Sequence, residues 1–350
     1  MVKGKHMLDA TINHLDIWAS AQTIKTKGRG RGKSADNQST YGINKLRGLI
    51  LELAVHGKLV SQDPKDEPAK ILLEKIATEK ERLTKEGKIK KQKPLPGISE
   101  KEIPFNLPDG WKWASLDAVS PMSLFDGDWV ESKDQDPDGS IRLIQLADIG
   151  EGRFRDKSNR FINEDAFKRL KCTELQKDDI LIARLPSPIG RACIFPGLDQ
   201  RSITAVDVAI LRSSGMFFED YLVHAINSMT FRLQVESFGK GVTRLRISTG
   251  NLKTIVFPLP PLAEQHRIVA KVDKLMALCD QLEQHGTDSN AAHQILLKTL
   301  LEALTNTTDQ GEFEVAWQHT AEHFEILFTT EQSIDQLKQA ILQLAVMGKL

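Results

Sequence analysis

The chain has 350 residues, 40% of them hydrophobic and 27% charged, with 47 basic and 47 acidic side chains and a formal net charge of +0. That length holds two domains, or one domain with helical extensions, and the composition is that of an ordinary soluble globular protein. No apolar run approaches the ~20 residues of a membrane span, the N-terminus lacks a signal peptide's apolar core, and the neutral balance argues against a bulk polyanion binder while leaving local basic stripes open.

Three cysteines, Cys172, Cys193 and Cys279, lie far apart and outside any metal-type spacing. They read as ordinary reduced thiols of a cytoplasmic protein. Residues 1–43 form an N-terminal segment. Leu8, Ile12, Leu15, Ile17 and Trp18 fit one amphipathic helix. Gly28, Gly30 and Gly32 then alternate with Arg29, Arg31 and Lys33 in a flexible basic loop. Two readings stand for this loop: an arm for a DNA minor groove, or a solvated linker.

Residues 44–102 read as a helical arm and linker. A helix over 43–59 buries Leu46, Leu49, Ile50 and Leu53, and Gly57 is placed as its C-cap. A second helix starts near Pro68, with Asp66 or Glu67 as cap, carries Ile71, Leu72, Ile76 and Leu83 on one stripe and runs out around Gly87. The basic run over 85–93 leads to Pro94-Leu-Pro-Gly97. It fits a solvated helix end as well as a phosphate contact.

A globular domain follows over 103–260. Short β-like runs over 141–149, 179–184, 191–195 and 202–211 are separated by glycine, proline and aspartate, and 218–231 reads as a helix. This is an α/β (α+β) module with short mixed strands. Pro258, Pro260 and Pro261 then fix an extended lead-in to a helix whose stripe is Ile268, Val272, Leu275/Met276, Cys279 and Leu282. From Val272 its spacing also fits a coiled-coil seam. The polar stretch over 284–290 separates it from a second helix over 291–304, and residues 261–332 together form a spacer. Trp317, Phe324, Leu327 and Phe328 fit a further helical pattern. Ser333 and Gln336 fit a capping box at the start of a last helix.

That last segment, 333–350, repeats an earlier one. The run Asn44 to Leu59 aligns with Asp335 to Leu350: Leu46 with Leu337, Ile50 with Ile341, Leu53 with Leu344, and both end Leu-Ala-Val-x-Gly-Lys-Leu. The period is a whole half-molecule: arm, domain, long helix, start of a second arm.

"LRGLILELAVHGKLVSQDPKDEPAKILLEKIATEKERL", "LPDGWKWASL", "IRLIQLADIGEGRFRDKSNRF", "DDILIARLPSPIGRACI" and "PLPPLAEQHRIV" closely resemble the specificity subunits of bacterial type I restriction–modification systems. The resemblance covers nearly the whole chain. It implies a target-recognition domain flanked by a helical arm and a coiled-coil spacer that sets the gap between half-sites. It implies methyltransferase and restriction subunits as partners, with S-adenosylmethionine and ATP held by those subunits and no cofactor here. The family continues through a second recognition domain, so the end at Leu350 makes this an N-terminal fragment or a half-subunit that pairs with another copy.

The residues themselves supply candidates for contact with double-stranded DNA. Arg142, Gln145, Arg153, Arg155, Lys157 and Arg160 form a basic stripe that also holds Asp148. Arg184, Ser187 and Arg191 flank the Pro186/Pro188 turn. Lys240, Thr243, Arg244, Arg246 and Ser248 follow Gly239 and Gly241. Arginine suits guanine edges, glutamine suits adenine edges, and lysine mostly meets phosphate. Leu46, Ile50, Leu53, Ile268, Val272, Leu275, Leu282, Leu337, Ile341 and Leu344 are the candidates for helical docking. No ATP loop and no adenine-methyltransferase motif is present, so a non-catalytic role is expected. Two other classes compete: a helical dimerisation protein, and an inverted zinc peptidase on His319-Thr-Ala-Glu-His323. The peptidase reading lacks a globular scaffold for a third ligand.

Overall fold

The structure is a computed structural model that describes residues 41–89, 97–98, 103–122, 124–185, 188–239, 245–306, 317 and 331–347. The described residues fall into two compact units, one over Lys45–Ala277 and the other comprising 41–44 and the residues from Leu278 onward. The expected N-terminal helix, the basic loop, His319 and His323 lie outside the described residues.

Helix α1 (Tyr41–Val55) ends as its sequence dictates. Gly57 takes φ +64°. The Lys58 amide reaches back to the Leu53 carbonyl (2.9 Å), and the Gly57 amide to that of Ala54 (3.2 Å). This is a Schellman stop, and it needs glycine because a side chain at positive φ is strained. A Cβ here would also meet the Pro108 ring at 2.4 Å. Helix α2 (Ala69–Lys85) corrects one expectation: Pro68 itself is the N-cap, and neither Asp66 nor Glu67 caps it. The Ala69 amide donates to the Gly110 carbonyl at 2.8 Å instead, and Glu67 pairs with Lys75 at 2.7 Å.

Among the described residues, the domain that follows holds three small sheets. Strands β1 (Lys112–Ser115) and β9 (Val256–Leu259), the first and last of the domain, pair antiparallel, Lys112 opposite Leu259. Strands β2 (Leu124–Asp126), β8 (Val208–Leu211), β5 (Ile180–Ala183) and β6 (Ala192–Ile194) form an antiparallel sheet in that order. Strand β3 (Ile141–Ile144) pairs antiparallel with β4 (Phe161–Ile162) and parallel with β7 (Ser202–Thr204). The fold is α+β with short mixed strands and a helical arm. Two hydrophobic clusters pack against these strands. Ile144, Leu181, Cys193, Phe195, Val208 and Ile210 belong to one, and Ile141, Leu143, Ile162, Ala166 and Ile203 to the other. Strand β3 feeds both, because alternate residues point to opposite faces.

Three continuous stretches of the sequence prove to be two elements each or one element in place of two. The apolar run over 202–211 divides into β7 and β8, which lie in different sheets; the chain turns at 205–207, where the Val208 amide bonds the Ala205 carbonyl at 3.0 Å. The expected helix over 218–231 is α4 (Glu219–Asn227) and α5 (Met229–Phe238). Ser228, with ψ 156°, breaks the first helix and caps the second by accepting the Phe231 amide. In contrast, the polar stretch over 284–290 interrupts nothing: α7 (Leu262–Asn306) runs unbroken for 45 residues. A single glycine costs a helix about 1 kcal/mol, too little to break one already propagating on both sides. Between these lie two short helices, α3 (Glu164–Leu170) and α6 (Thr249–Thr254). The last helix, α8 (Glu331–Val346), starts before Ser333, so Ser333 is a buried helical residue and not a cap.

The first turn of α7 is locked to the domain. The buried Glu264 carboxylate accepts from Trp111 Nε1 (2.9 Å) and Gln62 Nε2 (3.2 Å). Arg267 grips Asp66 through both terminal nitrogens, at 2.6 and 3.3 Å. Leu46, Ile50, Leu53, Ile268, Val272 and Leu344 are buried within the chain. They are packing positions, which corrects their assignment as docking positions. Leu275, Leu282, Leu337 and Ile341 are half-buried.

Candidate nucleic-acid interface

The basic stripe lies on the connection between β3 and β4. Asp148 is the centre of that connection: it is fully buried, at 0% exposure. Its carboxylate accepts the amides of Gln145 (2.7 Å), Lys157 (2.6 Å) and Ser158 (2.7 Å), and the Ser158 hydroxyl. The turn at 150–153 is tight, with the Gly150 amide on the Arg153 carbonyl at 3.0 Å. A Cβ at Gly150 would sit 2.5 Å from that carbonyl, so glycine is required by space. Held this way, Arg153, Arg155, Lys157 and Arg160 are all exposed, and Gln145 is half-exposed.

The domain's arginines separate by what they touch. Arg142 is bound to Asp156 at 2.7 Å and to the Ser158 carbonyl, with its guanidinium 5.5 Å from the Phe161 ring. Arg169 pairs with Asp134, Arg201 with Glu164 and Glu174, Arg212 with Asp179, and Arg232 with Glu151. Among the described residues, Arg153, Arg155, Lys157 and Arg160 take part in no ion pair, and all four sit on one short segment. Acidic partners have consumed most of the other arginine charge.

Two expectations are corrected here. Arg184 and Arg191 are buried and not surface contacts. Arg184 reaches the Val206 carbonyl and Asp126. Arg191 donates to the carbonyls of Ile149 (2.9 Å), Leu146 (2.9 Å) and Pro188 (3.2 Å). Burial pulls both guanidinium groups below their usual range, yet an arginine keeps its charge in a protein. Sequence reading placed them at the surface because pairing with distant carbonyls leaves no local pattern.

Arg246 is exposed and paired with Asp207 at 3.0 Å. It stands beside Arg184, whose carbonyl accepts the Ile247 amide at 3.2 Å, so positions from two separate candidate clusters do converge. Ser248 caps α6 by accepting the Asn251 amide at 3.1 Å. Ser187, Lys240, Thr243 and Arg244 lie outside the described residues. Trp129, 65% exposed, was not singled out from sequence; an isolated tryptophan gives no sign of which way it points. Among the described residues no group of three or more His, Cys, Asp or Glu could hold a metal, and no helix is long and apolar enough to cross a membrane.

Comparison with known proteins gives this surface a context. The family described as type I restriction modification DNA specificity domain matches residues 108–289. The type I restriction enzyme EcoAI specificity subunit of Escherichia coli is 42% identical over 352 residues, covering 97% of this chain and 57% of that protein. The EcoEI specificity subunit of Escherichia coli is 42% identical over 345 residues, covering 97% of this chain and 56% of that one. The chain thus spans little more than half the length of these relatives. Among solved structures, the HsdS subunit from Thermoanaerobacter tengcongensis is 18% identical with a TM-score of 0.41, covering 75% of this chain and 59% of that one. The family match runs from before β1 well into α7, and on it the chain belongs to the type I restriction–modification DNA specificity family.

Proposed function

We propose that this chain is the non-catalytic sequence-reading component of a type I restriction–modification complex, with its one domain reading half of a bipartite target. The observation that carries this is the 153–160 segment: four exposed cations without acid partners, on a connection strapped to a buried carboxylate, in a family defined by DNA specificity. Unpaired arginine and lysine can neutralise phosphate at no cost in broken ion pairs. Gln145 and the arginines have the chemistry for base edges. The neutral total charge is no obstacle, because acids pair with the structural arginines and leave this segment positive. Methyltransferase subunits carrying S-adenosylmethionine, and through them ATP-using restriction subunits, are the partners this role requires. Helix α7 sets the distance to the second half-site.

The test is binding of the chain, assembled with its methyltransferase subunit, to duplex genomic fragments across a salt series. Affinity should fall steeply with salt, and Arg153→Ala/Arg155→Ala should lower the slope of log K against log salt by about one for each phosphate the chain no longer neutralises. Salt-independent binding, or a slope untouched by the double substitution, returns the protein to the helical interaction class.

A further inference from the structure

We infer that Asp148 and Arg191 are positioning residues for DNA reading, which fix the backbone of the β3–β4 connection from within and tie it to the neighbouring 188–191 turn. The inference rests on the reading above, that this connection meets DNA. Neither side chain reaches solvent to any useful extent, with exposures of 0% and 8%. Any effect they have on recognition therefore travels through the backbone they hold.

Their geometry divides the work. Asp148 gathers the start and the end of the connection onto one group: the Gln145 amide on one side, the Lys157 and Ser158 amides and the Ser158 hydroxyl on the other. A carboxylate offers about four acceptor sites, and four protein donors occupy it. The Asp148 backbone adds two more links, to the Gln145 carbonyl at 2.9 Å and from the Arg155 amide at 2.8 Å. Gln145, Arg155 and Lys157 are candidate DNA contacts, and all three have their backbones bonded to this one residue.

Arg191 approaches the same connection by its carbonyls. Its fork spans Leu146 and Ile149, and its third nitrogen reaches Pro188. The planar guanidinium fixes three carbonyl directions at once, which a lysine ammonium on a flexible stem does not. The Gly190 and Ala183 backbones join on the far side, with the Gly190 amide on the Ala183 carbonyl at 2.8 Å. A buried anion and a buried cation thus hold one loop by its amides and by its carbonyls. Burying such charges is costly where apolar packing would serve. Base edges are read within tenths of an ångström, whereas phosphate contacts tolerate displacement. Loosening the clamp should therefore cost discrimination before affinity.

The experiment places Arg191→Lys and Asp148→Asn chains, each with the methyltransferase subunit, in cells free of adenine methylation, and maps methylation by long-read sequencing. Both substitutions keep the size of the side chain close to the original. The expected result is complex assembly at normal yield, an unchanged salt slope on genomic fragments, and a drop of about tenfold in methylation at cognate sites relative to sites with one altered base. An unchanged ratio in both variants overturns the inference. So does a proportional loss at all sites accompanied by a lower melting temperature, or failure of both chains to assemble, since each assigns the pair to the fold alone. If only one variant assembles, its ratio decides. The Arg153→Ala/Arg155→Ala chain separates the two levels. If it retains motif and salt slope, the reading of the segment fails; if it loses them while Arg191→Lys and Asp148→Asn keep the motif, only the positioning roles fail.

Discussion

Asp128 shows how one half-buried carboxyl ties stability to pH. Desolvation raises its pKa from 3.8 to about 6, opposed by the Thr173 amide, which donates to it at 2.9 Å. Between these values the folded chain holds a proton that the unfolded chain has released. The stability from that proton is fully present below pH 3.8 and is lost as pH rises through about 6. Asp128→Asn keeps an acceptor for Thr173 and removes the buried charge. It should melt about 2–4 °C above the parent at pH 8 and level with it near pH 4. A melting series across pH checks this; an equal offset at every pH would assign the effect to something other than ionisation. Burial acts on the thiols too, pushing Cys172 up to about 11 and Cys193 to about 12. Thiolate is the reactive form. Iodoacetamide at pH 8 should therefore modify Cys172 slowly and Cys193 only in denaturant, as peptide mass mapping can follow.

Among the elements, the junction at the start of α7 depends on Glu264. Its carboxyl is raised above the usual range by burial, against the hydrogen bonds from Trp111 and Gln62. Glu264→Ala leaves the buried Trp111 Nε1 without its acceptor and should destabilise the unit by about 1–3 kcal/mol. Glu264→Gln, which retains an oxygen, should cost less. Urea titration followed by tryptophan fluorescence measures both, and equal losses would mean that the charge and not the acceptor matters. Similarly, Ser228→Ala should cost about 1 kcal/mol by uncapping α5, read from the same titration. Local pattern made α1 and α2 legible, because amphipathic spacing and the Gly57 stop act within a few residues. It failed at 202–211 and at Ser228, where the division is enforced by which sheet or helix the chain packs against. The candidate surface was half legible: the exposed cations stood out by type, while Asp148 and Arg191 looked like members of the same stripe and turn. Their partners are distant backbone groups, and distance along the chain hides such bonds.

For the whole molecule, the repeat between 44–59 and 335–350 bears on the target. On the proposed function, a type I methyltransferase subunit directed by this chain should methylate a split motif, and the symmetry of that motif reports the assembly. A palindromic motif means two copies pair, each reading the same half-site. An asymmetric motif means that a second, different domain takes part. Long-read mapping in methylation-free cells distinguishes the two.

The pairing of β1 with β9 has a consequence of its own. The chain enters the sheets of the domain at Lys112 and leaves them at Leu259, residues that face each other across one antiparallel ribbon. Everything between is a closed excursion. The helices on either side also grip residues inside the excursion: Glu52 of α1 accepts the Thr230 amide and hydroxyl, Lys80 of α2 meets Asp117 at 2.9 Å, and Gln265 of α7 accepts the Phe218 amide at 3.3 Å. A different 116–255 insert, carried on the same ribbon, leaves α1, α2 and α7 undisturbed only where it keeps partners at the positions of Thr230, Asp117 and Phe218. The ribbon is the socket of this domain, and those three contacts are its latches.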